Sequence, residues 1–153
     1  MKLKTIVFPC DFSSKGNEAL EYATTLARES GARLLIVHVQ EPPIAYAEGA
    51  FYYGIPDPDP DALRGMLQQV KPHDASVTCE HRFVQGDPAS QIVELATKEQ
   101  ADLIVMSSHG RTGLGRLIMG SVAESVLRQA ACPVLVVKPN TQVASAEAVG
   151  SKG

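Results

Sequence analysis

A glycine-rich segment, Ser107 to Ser121, is the part of the sequence whose residue types and spacing best suit chemistry. It follows an apolar run and leads into an amphipathic stretch, the setting in which backbone N–H groups and a helix dipole can receive a phosphate. Glycine lets the main chain approach an anion closely, and Ser121 adds a hydroxyl donor beside its own N–H. We therefore expect this segment to bind an anionic small molecule.

Two common phosphate-binding fingerprints do not fit this segment. Gly110 and Gly115 have the four-residue gap of a P-loop, but Arg116-Leu117 stands where lysine and serine or threonine are required. Gly113 and Gly115 begin a dinucleotide-binding fingerprint, but Ile118 occupies the position of its third glycine. A tight connection between a strand and a helix would also contain glycines, and the segment alone does not decide between these readings.

The segment resembles a motif of the universal stress protein family. In ATP-binding members, a glycine, two residues and a second glycine precede nine residues and then glycine with serine or threonine; here Gly110 and Gly120-Ser121 match, and Ser107 replaces the first glycine. Val7 to Ser13 resembles the family's first strand and turn, and Cys132 to Val137 resembles its last strand. The resemblance therefore extends over nearly the whole chain.

The resemblance implies a site for ATP and leaves open whether Mg²⁺ accompanies the nucleotide. Asp11, an acceptor at a strand end, would lie by the ribose and adenine, and the backbone of Val39 would contact the adenine edge. The phosphate path would be lined by small residues and main chain, namely Gly110, Gly120, Ser121 and Val122. The site would be completed by neighbouring turn and loop residues, namely Pro9, Cys10, Ser107, His109 and Arg111.

Several of these residues have simpler alternative roles. Asp11 could cap the first helix, and His109 and Arg111 could face water instead of phosphate. Ser107 is the departure from the family pattern, because a serine costs about 1 kcal/mol wherever the backbone needs a positive φ. His38 lies inside an apolar strand and is expected to be a hydrogen-bonded core residue.

Composition argues against several other classes of function. The net charge is −3 and tryptophan is absent. We therefore expect neither a positively charged surface that binds nucleic acid nor aromatic side chains on which the bases of a single strand would stack. The three cysteines, an odd number without CxxC spacing, predict reduced thiols instead of a disulfide framework or a zinc site. Neither a signal peptide nor an apolar run of about 18 residues is recognisable, which predicts a cytoplasmic protein without membrane contact.

Predicted strands and helices alternate along the chain. The strands are Thr5 to Phe8, Leu34 to Val39, Val77 to Val84, Leu103 to Met106 and Pro133 to Val137. The first helix is a stretch with helical apolar spacing from Ala19 that ends at Gly31, with Ser13 or Ser14 as its cap. The other helices are Asp61 to Val70, one that begins at Asp87-Pro88, and Ile118 to Ala130. Such alternation predicts an α/β fold, a parallel sheet covered by helices on both faces.

Ligands of such sheets bind beyond the carboxyl ends of the strands, where the winding reverses, which directs attention to the loops after the first and fourth strands. The family resemblance implies a five-stranded Rossmann-like sheet of the adenine nucleotide α-hydrolase-like type with strand order 3-2-1-4-5. Residues 1–139 are expected to form one domain, and residues 140–153 a disordered tail. Glu41 to Asp61 is rich in proline and glycine and predicts a long loop over an edge of the sheet.

The leading functional hypothesis is a nucleotide-dependent regulator of the stress response. The family resemblance implies a homodimer through the last strand, Val134 to Val137, and an unidentified protein partner remains open. Spacing assembles no Ser-His-Asp or Cys-His set and no carboxylate pair, so no catalytic residue is predicted. The alternatives are a dimeric scaffold that binds no nucleotide and an enzyme that hydrolyses ATP slowly.

Overall fold

The computed structural model describes residues 2–42, 59–108 and 119–139. The strands are β1 (Thr5–Pro9), β2 (Arg33–Gln40), β3 (Cys79–Gln85), β4 (Leu103–Ser107) and β5 (Val134–Val137). The helices are α1 (Asn17–Ser30), α2 (Pro60–Gln69), α3 (Pro88–Lys98) and α4 (Ser121–Gln129), with a short 3-10 turn at Ser14–Gly16. The predictions for most of the proline-rich loop and for the tail fall on residues 43–58 and 140–153, outside the described residues.

The strands form one parallel sheet in the order β3-β2-β1-β4-β5, which confirms the predicted strand order. β1 is the central strand, because Ile6 is in register with Leu34 of β2 on one side and with Leu103 of β4 on the other. The chain adds β2 and β3 outward on one side of β1, and then β4 and β5 on the other. The winding therefore reverses between β1 and β4, where such sheets bind their ligands.

Helices cover both faces of the sheet, which explains why the inner strands are apolar at consecutive positions. Ile6 and Phe8 of β1 lie on the face that packs against α1 and α2. Val7 and Ile104 lie on the opposite face, in the cluster that α3 and α4 complete. Alternate side chains of one strand thus enter two separate cores, and both cores fix the position of β1.

Helix ends lie at or near their predicted positions where a residue at the end itself favours that boundary. Asp87 caps α3, because its carboxylate accepts the N–H of Ser90 at 3.0 Å, and Pro88 is the first helical residue as predicted. Gly31 ends α1 with a φ of 73°, the left-handed conformation that favours glycine. α2 begins one residue earlier than predicted, at Pro60, and Asp59 caps it.

Two predicted helix starts were wrong. Neither Ser13 nor Ser14 caps α1, which begins at Asn17 after Gly16 with no side-chain cap; the N–H of Ser13 instead binds the carboxylate of Asp11 at 2.9 Å. α4 begins at Ser121, so Met119 and Gly120 lie outside the helix that was predicted to include them. The backbone of Gly120 is extended, with φ −59° and ψ 151°, and its N–H bonds to a residue outside the helix.

The opposite edge of the sheet, at the amino ends of the strands, is held by charged side chains. Asp102 accepts the amide N–H groups of Lys4 and Thr5 at 2.8 and 3.0 Å, which ties the start of β1 to the residue before β4. Arg33 of β2 pairs with Glu80 at 2.7 Å and Glu99 at 2.9 Å. In the described part of the chain, no helix has the length and apolar character that crossing a membrane requires.

Candidate functional site

The candidate site is the β1/β4 crevice, defined by Pro9 to Ser13 on one side and by Ser107, Ser108 and Met119 to Val122 on the other. Two backbone bonds fix its strand ends: the N–H of Cys10 donates to Val37 at 2.7 Å, and that of Ser108 donates to Val137 at 3.0 Å. The hydroxyl of Ser107 donates to the carbonyl of Lys15 at 3.2 Å, so the chain after β1 touches the end of β4. The fold thus brings the end of β4 next to the chain that follows β1.

Asp11 stands in the turn that leaves β1, half-buried at the strand's carboxyl end. One of its oxygens, Oδ1, accepts the N–H of Ser13 at 2.9 Å, which fixes the side chain within the turn. Phe12, between them, has a φ of 65°, a conformation that a bulky side chain rarely adopts. The carboxylate is therefore held in one place by a turn that is itself strained.

Gly120 and the start of α4 provide an open helix N-terminus. The N–H of Gly120 donates to the carbonyl of Ser108 at 2.7 Å, and the first bond inside the helix runs from Glu124 to Gly120 at 3.0 Å. Within the described ranges no side chain caps this helix, whereas aspartates cap α2 and α3. The leading amides of a helix, here including those of Ser121 and Val122, have no acceptor inside the helix, and the positive end of the helix dipole favours an anion there.

Ser107 does not carry the strain that its substitution for glycine could have brought. It is the last residue of β4, and among the described residues other than glycine only Phe12 and Gln100 have positive φ. The cost considered for a positive φ at Ser107 therefore does not arise. Its side chain instead forms the contact with Lys15 that joins the two sides of the crevice.

Val39 lies near the end of β2, beside the point where β1 stops. The carbonyl of Val37 faces β1, because it accepts the N–H of Cys10. Backbone groups two residues apart on a strand point the same way, so the N–H and C=O of Val39 also face the β1 side. The ladder between β1 and β2 ends at Pro9 opposite Val37, which leaves the backbone of Val39 facing the region beyond β1.

Cys10 is a poor nucleophile in this setting. Burial raises the pKa of its thiol; the N–H of Phe12 opposes that rise, and the negative charge of Asp11 adds to it. The thiol therefore remains protonated at neutral pH, and its reactive thiolate form is scarce. The residue contributes to the crevice through its backbone.

Two buried hydroxyls were not predicted from the sequence. The side-chain oxygens of Ser13 and Ser108 are buried and have no hydrogen-bond partner in the described part of the chain. They flank the crevice from opposite sides, and no spacing signal distinguishes them from other serines. The predicted residues His109, Gly110 and Arg111 lie outside the described residues. Within the described ranges, no cluster of three or more His, Cys, Asp or Glu side chains could hold a metal ion.

The arrangement of the crevice can be compared with known proteins. A model of the universal stress protein family matches residues 2–138. The chain belongs to the universal stress protein family. It is 38% identical over 141 residues to universal stress protein MJ0531 of Methanocaldococcus jannaschii, covering 88% of this chain and 82% of that protein.

Further relatives agree along almost their full lengths. A universal stress protein of Thermus aquaticus is 35% identical over 142 residues, covering 88% of this chain and 98% of that protein. A solved structure described as a universal stress protein in complex with cAMP superimposes with a TM-score of 0.66 at 25% identity, covering 91% of this chain and 99% of that one. The fold and family of this universal stress protein are thus established together.

Proposed function

We propose that this universal stress protein binds ATP in the β1/β4 crevice and acts as a nucleotide-dependent regulator of the stress response. The observation that carries the proposal is the N-terminus of α4, which no side chain of the described residues caps and which the bond from Gly120 to Ser108 holds at the end of β4. An anion at this point would accept N–H groups that the helix itself leaves without partners.

The phosphates belong at the α4 side of the crevice. Ser121 and Val122 would donate backbone N–H groups, and the absence of a side chain at Gly120 lets an anion approach the main chain. Gly110, His109 and Arg111, which lie outside the described residues, are proposed as further contacts on the strength of the family motif alone. Mg²⁺ commonly keeps several waters and binds through substrate phosphates, so ATP could bring the ion without a protein cage.

The nucleoside belongs at the β1 and β2 side. Asp11 is an acceptor suited to ribose hydroxyls, and its turn holds it at the strand end. The N–H and C=O of Val39 face the region beyond Pro9, where an adenine edge could pair with them. Buried hydroxyls without partners are unfavourable, and those of Ser13 and Ser108 suit a polar ligand between them. The relative described in complex with cAMP supports an adenine nucleotide as the ligand class.

The proposal extends to assembly and location. β5 is an edge strand, and Leu135 exposes 36% of its surface there, so we propose that two copies pair through Val134–Val137. The cysteines Cys10, Cys79 and Cys132 are all free, which suits a reducing cytoplasm. The protonated thiol of Cys10 offers no activated nucleophile, and we propose binding and not turnover as the activity.

Nucleotide content tests the proposal directly. The purified protein is denatured and the supernatant chromatographed for adenine nucleotides, and the emptied protein is then titrated with ATP by calorimetry, with and without Mg²⁺. We expect adenine nucleotide in the supernatant and saturable ATP binding with a Kd of about micromolar order. An empty protein that also ignores added ATP would contradict the proposal and favour the scaffold, whereas sustained release of phosphate would favour the enzyme.

A further inference from the structure

A row of side chains in mutual contact runs from the crevice across the sheet to α2. The ring of Phe12 lies 4.3 Å from that of His38, and His38 lies 5.9 Å from Phe83. The guanidinium of Arg64 on α2 lies 4.6 Å from the centre of the Phe83 ring. The row thus connects α2, through neighbouring residues of β3 and β2, to the turn that holds Asp11.

His38 is the member of the row that bonds to the turn. Its Nδ1 lies 2.8 Å from the carbonyl oxygen of Cys10, and because a carbonyl has no proton to give, Nδ1 must be the donor. The side chain is only 5% exposed, so water does not compete freely for this bond. The N–H of Cys10 already donates to Val37, and both backbone groups of Cys10 are therefore tied to β2.

The bond acts on a strained turn. Phe12 holds a φ of 65°, and its ring is the one that contacts His38, at an interplanar angle of 35°. A left-handed conformation persists for a bulky residue only where its surroundings enforce it. The side chain of His38 makes both contacts that hold the turn: it bonds to Cys10, two residues before the strained Phe12, and its ring contacts Phe12 itself.

We propose that His38 is a positioning residue for the nucleotide site, which holds the turn after β1 in the conformation that presents Asp11. The inference rests on the proposed function, since it assumes that Asp11 contacts the ligand. Without His38 the carbonyl of Cys10 loses its buried donor and Phe12 loses its ring contact. The turn then relaxes and Asp11 spends less time where a ribose can reach it.

Two substitutions at His38 separate its donor from its ring. His38→Phe keeps an aromatic ring but removes the donor, and ATP affinity by calorimetry is expected to fall about tenfold. His38→Asn places an amide N–H near the position of Nδ1 and is expected to recover affinity to within about threefold of the wild type. His81→Phe is the matched control. His81 lies on the edge strand β3, and its ring bonds to the carbonyl of Val70, so the substitution removes a similar bond from a histidine ring to a carbonyl. It should leave ATP affinity unchanged.

A second readout follows the turn without any ligand. Backbone amide resonances of Asp11, Phe12 and Ser13 in the nucleotide-free protein should move in His38→Phe and return toward the wild type in His38→Asn. Nitrogen chemical shifts of the wild-type ring should show a proton on Nδ1. If His38→Phe does not fold, Phe12→Ala removes the ring contact from the turn side and should weaken ATP binding in the same direction.

The outcomes separate this inference from the proposed function. If the wild-type protein binds ATP and the folded His38 and Phe12 variants bind it with the same affinity, the inference is overturned and the proposed ATP binding stands. Loss in His38→Phe without recovery in His38→Asn, or equal loss in His81→Phe, would also overturn it, because the effect would then be general destabilisation. Absence of ATP binding in the wild-type protein would overturn the proposed function, and the positioning role at that site with it.

Discussion

The amide N–H of Gly120 donates to the carbonyl of Ser108 over 2.7 Å, so the residue before α4 is fastened to the residue after β4. Ser108 and Gly120, the described residues that flank positions 109–118, therefore lie side by side. Both ends of the family motif meet there, although they are distant in the sequence. The extended backbone of Gly120, with ψ 151°, makes Ser121 the first helical residue of α4.

Gly120→Val is expected to weaken ATP binding at least about tenfold, because a branched side chain would stand where an anion must approach the amides of α4. The far-ultraviolet circular dichroism should not change, since the backbone of Gly120 is in a region open to any residue. Calorimetry on the folded variant measures the effect. Gly65→Val in α2 is the control, because it adds the same bulk away from the crevice. Unaltered affinity in Gly120→Val would move the phosphate site elsewhere.

Two glycine-to-alanine substitutions should have opposite effects on stability. A methyl group at Gly31 or Gly65 would meet no atom within 4 Å, so backbone conformation alone separates them. Gly31→Ala forces alanine into a φ of 73° and should destabilise the protein by about 1 kcal/mol. Gly65→Ala lies inside a helix and should stabilise it by about 0.5–1 kcal/mol. Chemical denaturation measures both, and changes of the same sign would contradict the assigned backbone conformations.

Asp102 should make the protein more sensitive to acid. The N–H of Lys4, with that of Thr5, holds the pKa of Asp102 below its ordinary value. Because the folded pKa is the lower one, this stabilisation is fully present above the unfolded pKa of about 3.9 and is lost as pH falls through the folded value. Asp102→Asn should therefore lower Tm at neutral pH and flatten the fall of Tm in acid. Parallel Tm curves for variant and wild type would contradict this role.

Leu135→Arg should separate the proposed dimer without unfolding the chain. Leu135 is 36% exposed on the edge strand β5, and a charge there would be desolvated if two copies paired through that strand. Light scattering after size exclusion should give the mass of two chains for the wild type and of one for the variant. Tyr22→Arg, at a residue 56% exposed on α1, should remain a dimer. A monomeric wild type would remove the basis for this interface.

Sequence patterns predicted those parts of the fold that neighbouring residues decide. The buried strands are continuous apolar runs, and Asp87-Pro88 and Gly31 mark helix ends through their own backbone preferences. The start of α4 was missed because Ile118 fits the helical spacing of Val122 and Val126, whereas the backbone of Gly120 is extended and its N–H bonds to Ser108. Local signals carry no information about such a contact.

The candidate site divides in the same way. The family resemblance predicted Gly120, Ser121 and Asp11 as site residues, and their role in binding stays a prediction. The role of His38 beside the crevice was not predicted beyond a hydrogen bond in the core, because its partners come from separate segments. Phe83 lies on another strand, and the strain at Phe12 is a property of the folded turn.

The position of β1 in the middle of the sheet bears on how the chain is made. A ribosome releases β1 before the other four strands of this sheet, yet one of its two hydrogen-bonding edges has no partner until β4 has emerged. During synthesis the half-built sheet therefore exposes the edge where the crevice will form. The crevice can form only once β4 has emerged, and a nascent chain stalled before residue 103 should expose an unpaired strand that chaperones can recognise.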